Sequence, residues 1–254
     1  MSRYAWRAAF ISTLLASNAI LAGQRGPTPV VTGLSADVLA LACAPASVYG
    51  QPDTTMRLTG GQESFTRRNY TPGDLVTINA GTANGIKVGQ EFFIRRSETS
   101  RWQGSSKPAP VTIQTAGWLK VYAVDDAMSL ATITHACDSI EVGDYLAPFV
   151  LPEPVVPNAE KPKPERDHYA RVMPGSDLRS LFGRGDFFTI NRGMYDGLKV
   201  GAQFVVYRDK EESKNFLFEL GEAVAVSVGP QMSTLKVTLS RDAFREGDYV
   251  AERK

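Results

Sequence analysis

The chain has 254 residues, and 43% of them are apolar, which is enough to form one or two packed cores. Its 28 Lys and Arg residues nearly balance its 27 Asp and Glu residues, and the two signs are mixed along the chain. Because nucleic-acid-binding proteins usually carry a basic excess on one face, this balance argues against a nucleic-acid partner.

The first 22 residues have the organisation of a secretory signal peptide. Arg3 and Arg7 precede an apolar run at residues 8–16, and small residues that suit cleavage follow at 17–22. A retained membrane anchor is the alternative, although the run is well short of the roughly 20 residues of a spanning helix. The sequence therefore predicts a periplasmic or secreted protein, a candidate for outer-membrane association, with no transmembrane segment after cleavage.

Residues 23–54 are rich in Gly, Pro, Ala and Ser, and we expect this N-terminal segment to be extended. A short helix within residues 30–42 is the alternative, because that part is more apolar. Cys43 follows this part of the chain. It lies too far behind the signal peptide to be a good lipid attachment site.

Cys43 and Cys137 are the two cysteines of the chain. Cysteine pairs usually form disulfides in an oxidising compartment. Closing a loop of about 95 residues would stabilise the fold by up to roughly 4 to 5 kcal/mol. Two buried free thiols are the alternative. We expect Cys43 and Cys137 to be bridged in the exported protein.

One stretch of the sequence occurs twice. Residues 73–96 read GDLVTINAGTANGIKVGQEFFIRR, and residues 185–208 read GDFFTINRGMYDGLKVGAQFVVYR. Each copy predicts a strand, a tight glycine-rich connection and a second strand. The similarity continues at a second constant offset through residues 117–146 and 221–250, where further strands are predicted. The chain therefore contains an internal duplication.

The duplicated unit predicts an all-β fold with two domains, at residues 55–150 and 169–254. Five or six short strands in one open sheet would leave apolar edges exposed, so we expect each unit to close into a small SH3-like or Greek-key β-barrel. Residues 151–168 lie between the units and contain five prolines. Such a segment favours an extended, semi-rigid linker.

Four carboxylates stand beside glycines at predicted strand entries, at Asp74, Asp144, Asp186 and Asp248. Calcium loops need several oxygen ligands within one short loop, so we interpret these residues as turn caps. The two histidines lack zinc-site spacing, and the sequence has no nucleophile elbow, phosphate loop or dinucleotide fingerprint. The sequence therefore predicts no catalytic residue, no metal ligand and no cofactor, and a protein that is not an enzyme.

Aromatic residues occur in the corresponding long loops of the two units. Trp102 lies in the loop at residues 97–116, and Phe216 and Phe218 lie in the matching loop of the second unit. Aromatic side chains in polar loops can anchor a protein partner or stack on sugars, so these three are candidate partner-contact residues. The alternative is that they fold back over the end of the barrel.

The pattern GDxVxIxxG…GxxVGxxFxVxR with a closing IxxGDYLxP is present at residues 73–96 and 140–148, and again at 185–208 and 244–251. It resembles a family of uncharacterised exported bacterial proteins with duplicated β domains. It is also similar, less closely, to the C-terminal domain of flagellar assembly protein T and to β domains that accompany LysM modules in envelope proteins. The resemblance implies a β-domain fold and an envelope location.

Together these features predict a non-catalytic, envelope-associated binding or scaffolding protein. Its partner would be an envelope protein or a glycan. A module that binds peptidoglycan or another glycan is the first alternative, and a cell-wall hydrolase is the second.

Overall fold

The computed structural model describes residues 34–62, 67–99, 110–153, 155–156, 168–173, 179–209 and 216–254. The predicted signal peptide, Trp102 and most of the predicted linker lie outside these residues. Ser35–Lys254 form one compact unit. Its described residues form strands and their connections, with one α-helix, so the predicted all-β fold is confirmed. No helix in these ranges is long and apolar enough to cross a membrane.

The first duplicated unit, called repeat 1, contains the strands β2 (Leu58–Gly61), β3 (Asn69–Tyr70), β4 (Leu75–Ile78), β5 (Glu91–Thr99), β6 (Val111–Val124), β7 (Ser129–Ala136), β8 (Ile140–Glu141) and β9 (Tyr145–Pro148). Its main sheet is curled and antiparallel, with the strand order β2-β4-β7-β6-β5-β9. A small second sheet pairs β3 with β8. A bridge between Arg57, just before β2, and Tyr145 of β9 joins the two edges of the main sheet.

The second unit, repeat 2, has the corresponding strands β10 (Ala170–Arg171), β11 (Leu181–Phe182), β12 (Phe187–Ile190), β13 (Gln203–Asp209), β14 (Leu217–Val228), β15 (Ser233–Ser240), β16 (Phe244–Arg245) and β17 (Tyr249–Glu252). Its main sheet has the order β10-β17-β13-β14-β15-β12, and a small sheet pairs β11 with β16. Val172 bridges Ile190 of β12, so the leading strand again joins the two sheet edges. The SH3-like or Greek-key barrel stays a prediction, as does the division into two domains.

The two repeats fill their cores with different residues at equivalent positions. Phe188 of repeat 2 takes the place of Val76, whereas Ala223 takes the place of Leu119, and all four are buried in the two core clusters. Because protein interiors are close-packed, a larger side chain at one position needs a smaller one nearby. The repeats therefore keep one backbone arrangement through compensating changes of side-chain volume.

Each glycine-rich connection contains a short 3-10 turn, Thr82–Asn84 in repeat 1 and Met194–Asp196 in repeat 2. The glycine before each turn lies directly against another backbone segment. A Cβ atom on Gly81 would collide with the carbonyl oxygen of Asp125, and one on Gly193 would collide with that of Gly229. The glycines therefore allow the connection to dock on the neighbouring hairpin turn.

We expect Gly81→Ala and Gly193→Ala each to destabilise the protein by about 1 to 3 kcal/mol, because an added methyl group must displace backbone atoms. Urea unfolding followed by circular dichroism measures this change. Gly183→Ala is the control, since its Cβ would contact nothing closer than a carboxylate oxygen of Asp186 at 3.9 Å. An equal loss of stability in all three variants would contradict the close-approach explanation.

The N-terminal segment is described from residue 34 onward, and the prediction that it is extended is wrong for helix α1 (Ala36–Ala42). The Ser35 hydroxyl caps this helix by accepting a hydrogen bond from the Val38 N–H at 3.3 Å. Strand β1 (Ala46–Val48) then pairs antiparallel with the start of β6. The alternative prediction of a short helix within residues 30–42 is confirmed for Ala36–Ala42.

Residues 35–48 contact both repeats. The Ser47 hydroxyl donates to the Thr189 hydroxyl at 3.2 Å, and the Thr234 hydroxyl donates to the Pro45 carbonyl at 2.8 Å. Lys236 also lies 3.4 Å from an Asp37 carboxylate oxygen. Because β1 is paired with repeat 1 while these bonds reach repeat 2, the N-terminal segment joins the two repeats.

Candidate functional site

The structure brings Cys43 and Cys137 to disulfide distance, as predicted. Their Sγ atoms lie 1.98 Å apart and their Cα atoms 5.6 Å apart. Cys137 follows β7, and its backbone N–H donates to the Ala116 carbonyl at 2.8 Å. The bridge therefore ties the end of helix α1 to the β6–β7 hairpin of repeat 1.

His135 lies beside this disulfide. One ligand atom from each of Cys43, Cys137 and His135 lies within 4.8 Å of the others, and the imidazole stacks on the Trp118 ring with a centroid distance of 4.2 Å. A metal ion would need thiolate ligands, but here the two sulfur atoms are bonded to each other. In this state the cluster is a disulfide packed beside an aromatic pair.

The second Gly-Asp pair of each repeat carries a buried ion pair. In repeat 1 the Arg96 guanidinium donates to both Asp144 carboxylate oxygens, at 2.8 and 3.0 Å. In repeat 2 Arg208 donates to both oxygens of Asp248, each at 2.8 Å. Each carboxylate also accepts the backbone N–H three residues earlier. Arg96 and Arg208, which end the two copies of the duplicated stretch, therefore stabilise the turn that precedes the last strand of each repeat.

The first Gly-Asp pair of each repeat caps a turn in the same way. Asp74 accepts the Thr71 N–H, and Asp186 accepts the Gly183 N–H, both at 2.8 Å. The Thr71 hydrogen bond lowers the pKa of Asp74. The predicted turn-capping role of all four aspartates is confirmed, and their carboxylates are occupied by structural hydrogen bonds.

The predicted contact residues Phe216 and Phe218 lie at the turn end of the β13–β14 hairpin. Phe216 is 68% exposed and Phe218 is 45% exposed. Neither ring folds into the core. Trp102, the third predicted contact residue, lies outside the described residues.

The equivalent end of the repeat 1 hairpin is covered by a third strand. There β1 pairs with β6, with Ser47 opposite Thr112 and Ala46 opposite Ile113. In repeat 2, Phe216 and Leu217 occupy the positions of Thr112 and Ile113. They come just before Phe218, which pairs with Arg208 of β13. Among the described residues, no third strand pairs with this end of β14. Within the described ranges, the two repeats thus differ in the strands that pair at this end of the hairpin.

A cavity of about 190 Å³ lies where the N-terminal segment, repeat 1 and repeat 2 meet. Sequence reasoning did not identify it, because its walls come from distant parts of the chain. Its lining includes Ala42, Phe93, Arg95, Thr115, Val226 and Thr234.

Arg95 supplies the positive charge of this cavity. Its guanidinium carbon lies 5.0 Å from the Phe93 ring centroid, while its Nε is shielded from solvent without a hydrogen-bond partner. Tyr145 stands opposite Arg95 on β9, and its buried hydroxyl also lacks a partner. Burial lowers the pKa of Arg95 and raises that of Tyr145. The site therefore presents a half-buried cation beside a buried phenol.

One sequence signal distinguishes Arg95 from the structural arginines. Arg96 recurs as Arg208 in the second copy of the motif, whereas Arg95 is replaced there by Tyr207. A charge that the duplication does not repeat is not required by the shared fold. Comparing the two copies at this position would have marked Arg95 as a candidate functional residue.

In comparisons with known proteins, no family profile and no curated sequence matches this chain.

Proposed function

We propose that this chain is a non-catalytic, exported protein of the cell envelope that binds or scaffolds a protein partner. The turn end of the β13–β14 hairpin is the contact surface. The observation that carries this proposal is the pair of exposed rings, Phe216 at 68% and Phe218 at 45%, at the position where repeat 1 receives a third strand.

The pairing of β1 with repeat 1 supports a mode of recognition by strand addition. In that mode a partner strand pairs with an open sheet edge, while side-chain contacts provide specificity. Aromatic residues are enriched among the side chains that contribute most to such interfaces. A partner strand beside residues 216–218 would bury the exposed ring surface of Phe216 and Phe218.

Export and the absence of catalysis remain parts of the proposal. The N-terminal sequence favours a signal peptide, and a disulfide is compatible with an oxidising compartment. The four Gly-Asp carboxylates form structural hydrogen bonds, which supports a non-catalytic role for them.

The test is a pull-down from envelope extract with the mature protein as bait. We expect Phe216→Ser with Phe218→Ser to reduce capture of the specific partner at least tenfold, because both aromatic anchors are lost. Tyr122→Ser is the matched control, since Tyr122 is also 68% exposed but lies on repeat 1. Binding of the recovered partner is then measured with purified components.

Sedimentation with purified peptidoglycan is run in parallel. Equal capture of the partner by the Phe216→Ser, Phe218→Ser variant and by the wild type would contradict the proposal that the hairpin end is the contact surface. Sedimentation with the wall would favour the glycan alternative, because aromatic rings also stack on sugars. Turnover of wall fragments by the purified protein would favour the hydrolase alternative.

A further inference from the structure

The cavity around Arg95 provides a second site, separate from the β13–β14 hairpin. Its walls come from Pro45 in the N-terminal segment, Phe93 and Ile113 in repeat 1, and Val226 in repeat 2. Arg95 stands on β5 directly opposite Thr115 of β6. Directly opposed residues on paired strands share one sheet face, so charge, hydroxyl and apolar walls meet at one place.

The charge of Arg95 is not balanced within the described part of the chain. No carboxylate in this part of the chain lies within ion-pair distance of the Arg95 guanidinium. The neighbouring residue Arg96, in contrast, forms an ion pair with Asp144. Shielding a charged group from water is unfavourable unless an opposite charge or hydrogen bonds compensate it. An anion in the cavity would supply both.

The walls indicate what kind of anion fits. A carboxylate accepts two parallel hydrogen bonds from a guanidinium. The remaining surface is mainly apolar, and the volume of about 190 Å³ exceeds the roughly 150 Å³ of an engineered cavity that holds benzene. A compact apolar group with one carboxylate therefore suits the cavity better than a polyanion.

We propose that the cavity binds a small monocarboxylate, with the carboxylate on Arg95 and the apolar group between Phe93 and Val226. The carboxylate belongs either to a free small acid or to the C-terminal residue of a peptide. Because the cavity lies between the repeats, its ligand stabilises their packing. The proposal does not depend on the hairpin surface.

The test is ligand-observed ¹⁹F NMR of the mature protein with 4-fluorobenzoate, and with 4-fluorobenzyl alcohol as the neutral analogue. We expect the wild type to bind the acid at least tenfold more tightly than the alcohol. Arg95→Met should weaken binding of the acid about tenfold to a hundredfold, since hydrogen bonds to charged groups are the strong ones. Arg95→Lys should bind the acid with an affinity between those of the wild type and Arg95→Met. Lysine keeps the positive charge but lacks the planar guanidinium that donates two parallel hydrogen bonds.

Lys120→Met is the control for removal of one positive charge, because Lys120 is exposed and pairs with Glu91 at 3.8 Å. It should bind the acid like the wild type. A tripeptide ending in Phe, with its carboxylate free or amidated, separates the two sources. Binding of the free-carboxylate peptide identifies a chain terminus as the ligand, and binding of the acid alone identifies a free small acid.

Thermal unfolding provides a second readout. Arg95→Met should melt about 2 to 4 °C higher than the wild type without ligand, because an unbalanced charge is removed. It should also lose the stabilisation that 4-fluorobenzoate gives the wild type. A lower melting temperature of Arg95→Met would assign Arg95 a structural role and overturn the proposal. Equal affinity of the wild type for the acid and the alcohol, or no binding of either at millimolar concentration, would also overturn it.

Discussion

Asp248→Asn is expected to destabilise the protein by about 3 kcal/mol, because it leaves the Arg208 guanidinium without its buried counter-charge. The Asp248 side chain is 5% exposed and that of Arg208 is 19% exposed, so water replaces little of the lost interaction. The value is at the low end for a broken buried pair because Asp242 also lies 3.3 Å from Arg208. Urea unfolding at neutral pH measures the change.

Asp242→Asn is the matched control for this prediction. It removes a carboxylate from the same arginine, but the Asp242 side chain is 63% exposed. Exposed ion pairs contribute about 0 to 1 kcal/mol, so this variant should unfold nearly like the wild type. Equal effects of the two substitutions would show that the buried geometry of Asp248 is unimportant.

Cys43→Ser combined with Cys137→Ser is expected to lower the free energy of unfolding by about 2 to 5 kcal/mol. The disulfide connects residues 94 positions apart, so it restricts a long loop of the unfolded chain. It also fixes helix α1 on repeat 1. Urea unfolding with and without dithiothreitol should show a large loss of stability for the wild type and none for the double variant.

Peptide mass mapping without reduction gives an independent check of the disulfide. We expect one linked pair of peptides that contain Cys43 and Cys137. Recovery of both as free thiols from protein produced in an oxidising compartment, together with wild-type stability that reductant leaves unchanged, would contradict the bridge.

The strands and turns of the repeats could be predicted because their signals are local. Asp186 caps a turn through the N–H of Gly183, only three residues earlier, so a Gly-Asp pair is enough to indicate it. The partner of Arg208 could not be identified in this way, since Asp248 lies 40 residues later. The recurrence of both residues in the duplication was the available signal.

The N-terminal segment and the cavity were harder to predict because they depend on tertiary contacts. Strand β1 has three residues and forms against β6, and nothing in its composition indicates that partner. Cys43 and Cys137 could be paired because they are the two cysteines of the chain. The number of cysteines could not show that their disulfide joins the end of helix α1 to the β6–β7 hairpin.

The contacts of the N-terminal segment span very different distances along the chain. A chain made from its N-terminus exposes Cys43 first and Cys137 after 94 further residues. The hydrogen bonds from Ser47 to Thr189 and from Thr234 to Pro45 join residues that are 142 and 189 positions apart in the sequence. Every contact named above between the N-terminal segment and repeat 1 therefore joins residues that precede repeat 2 in the chain. The cavity around Arg95, in contrast, is complete only with Val226 and Thr234 of repeat 2.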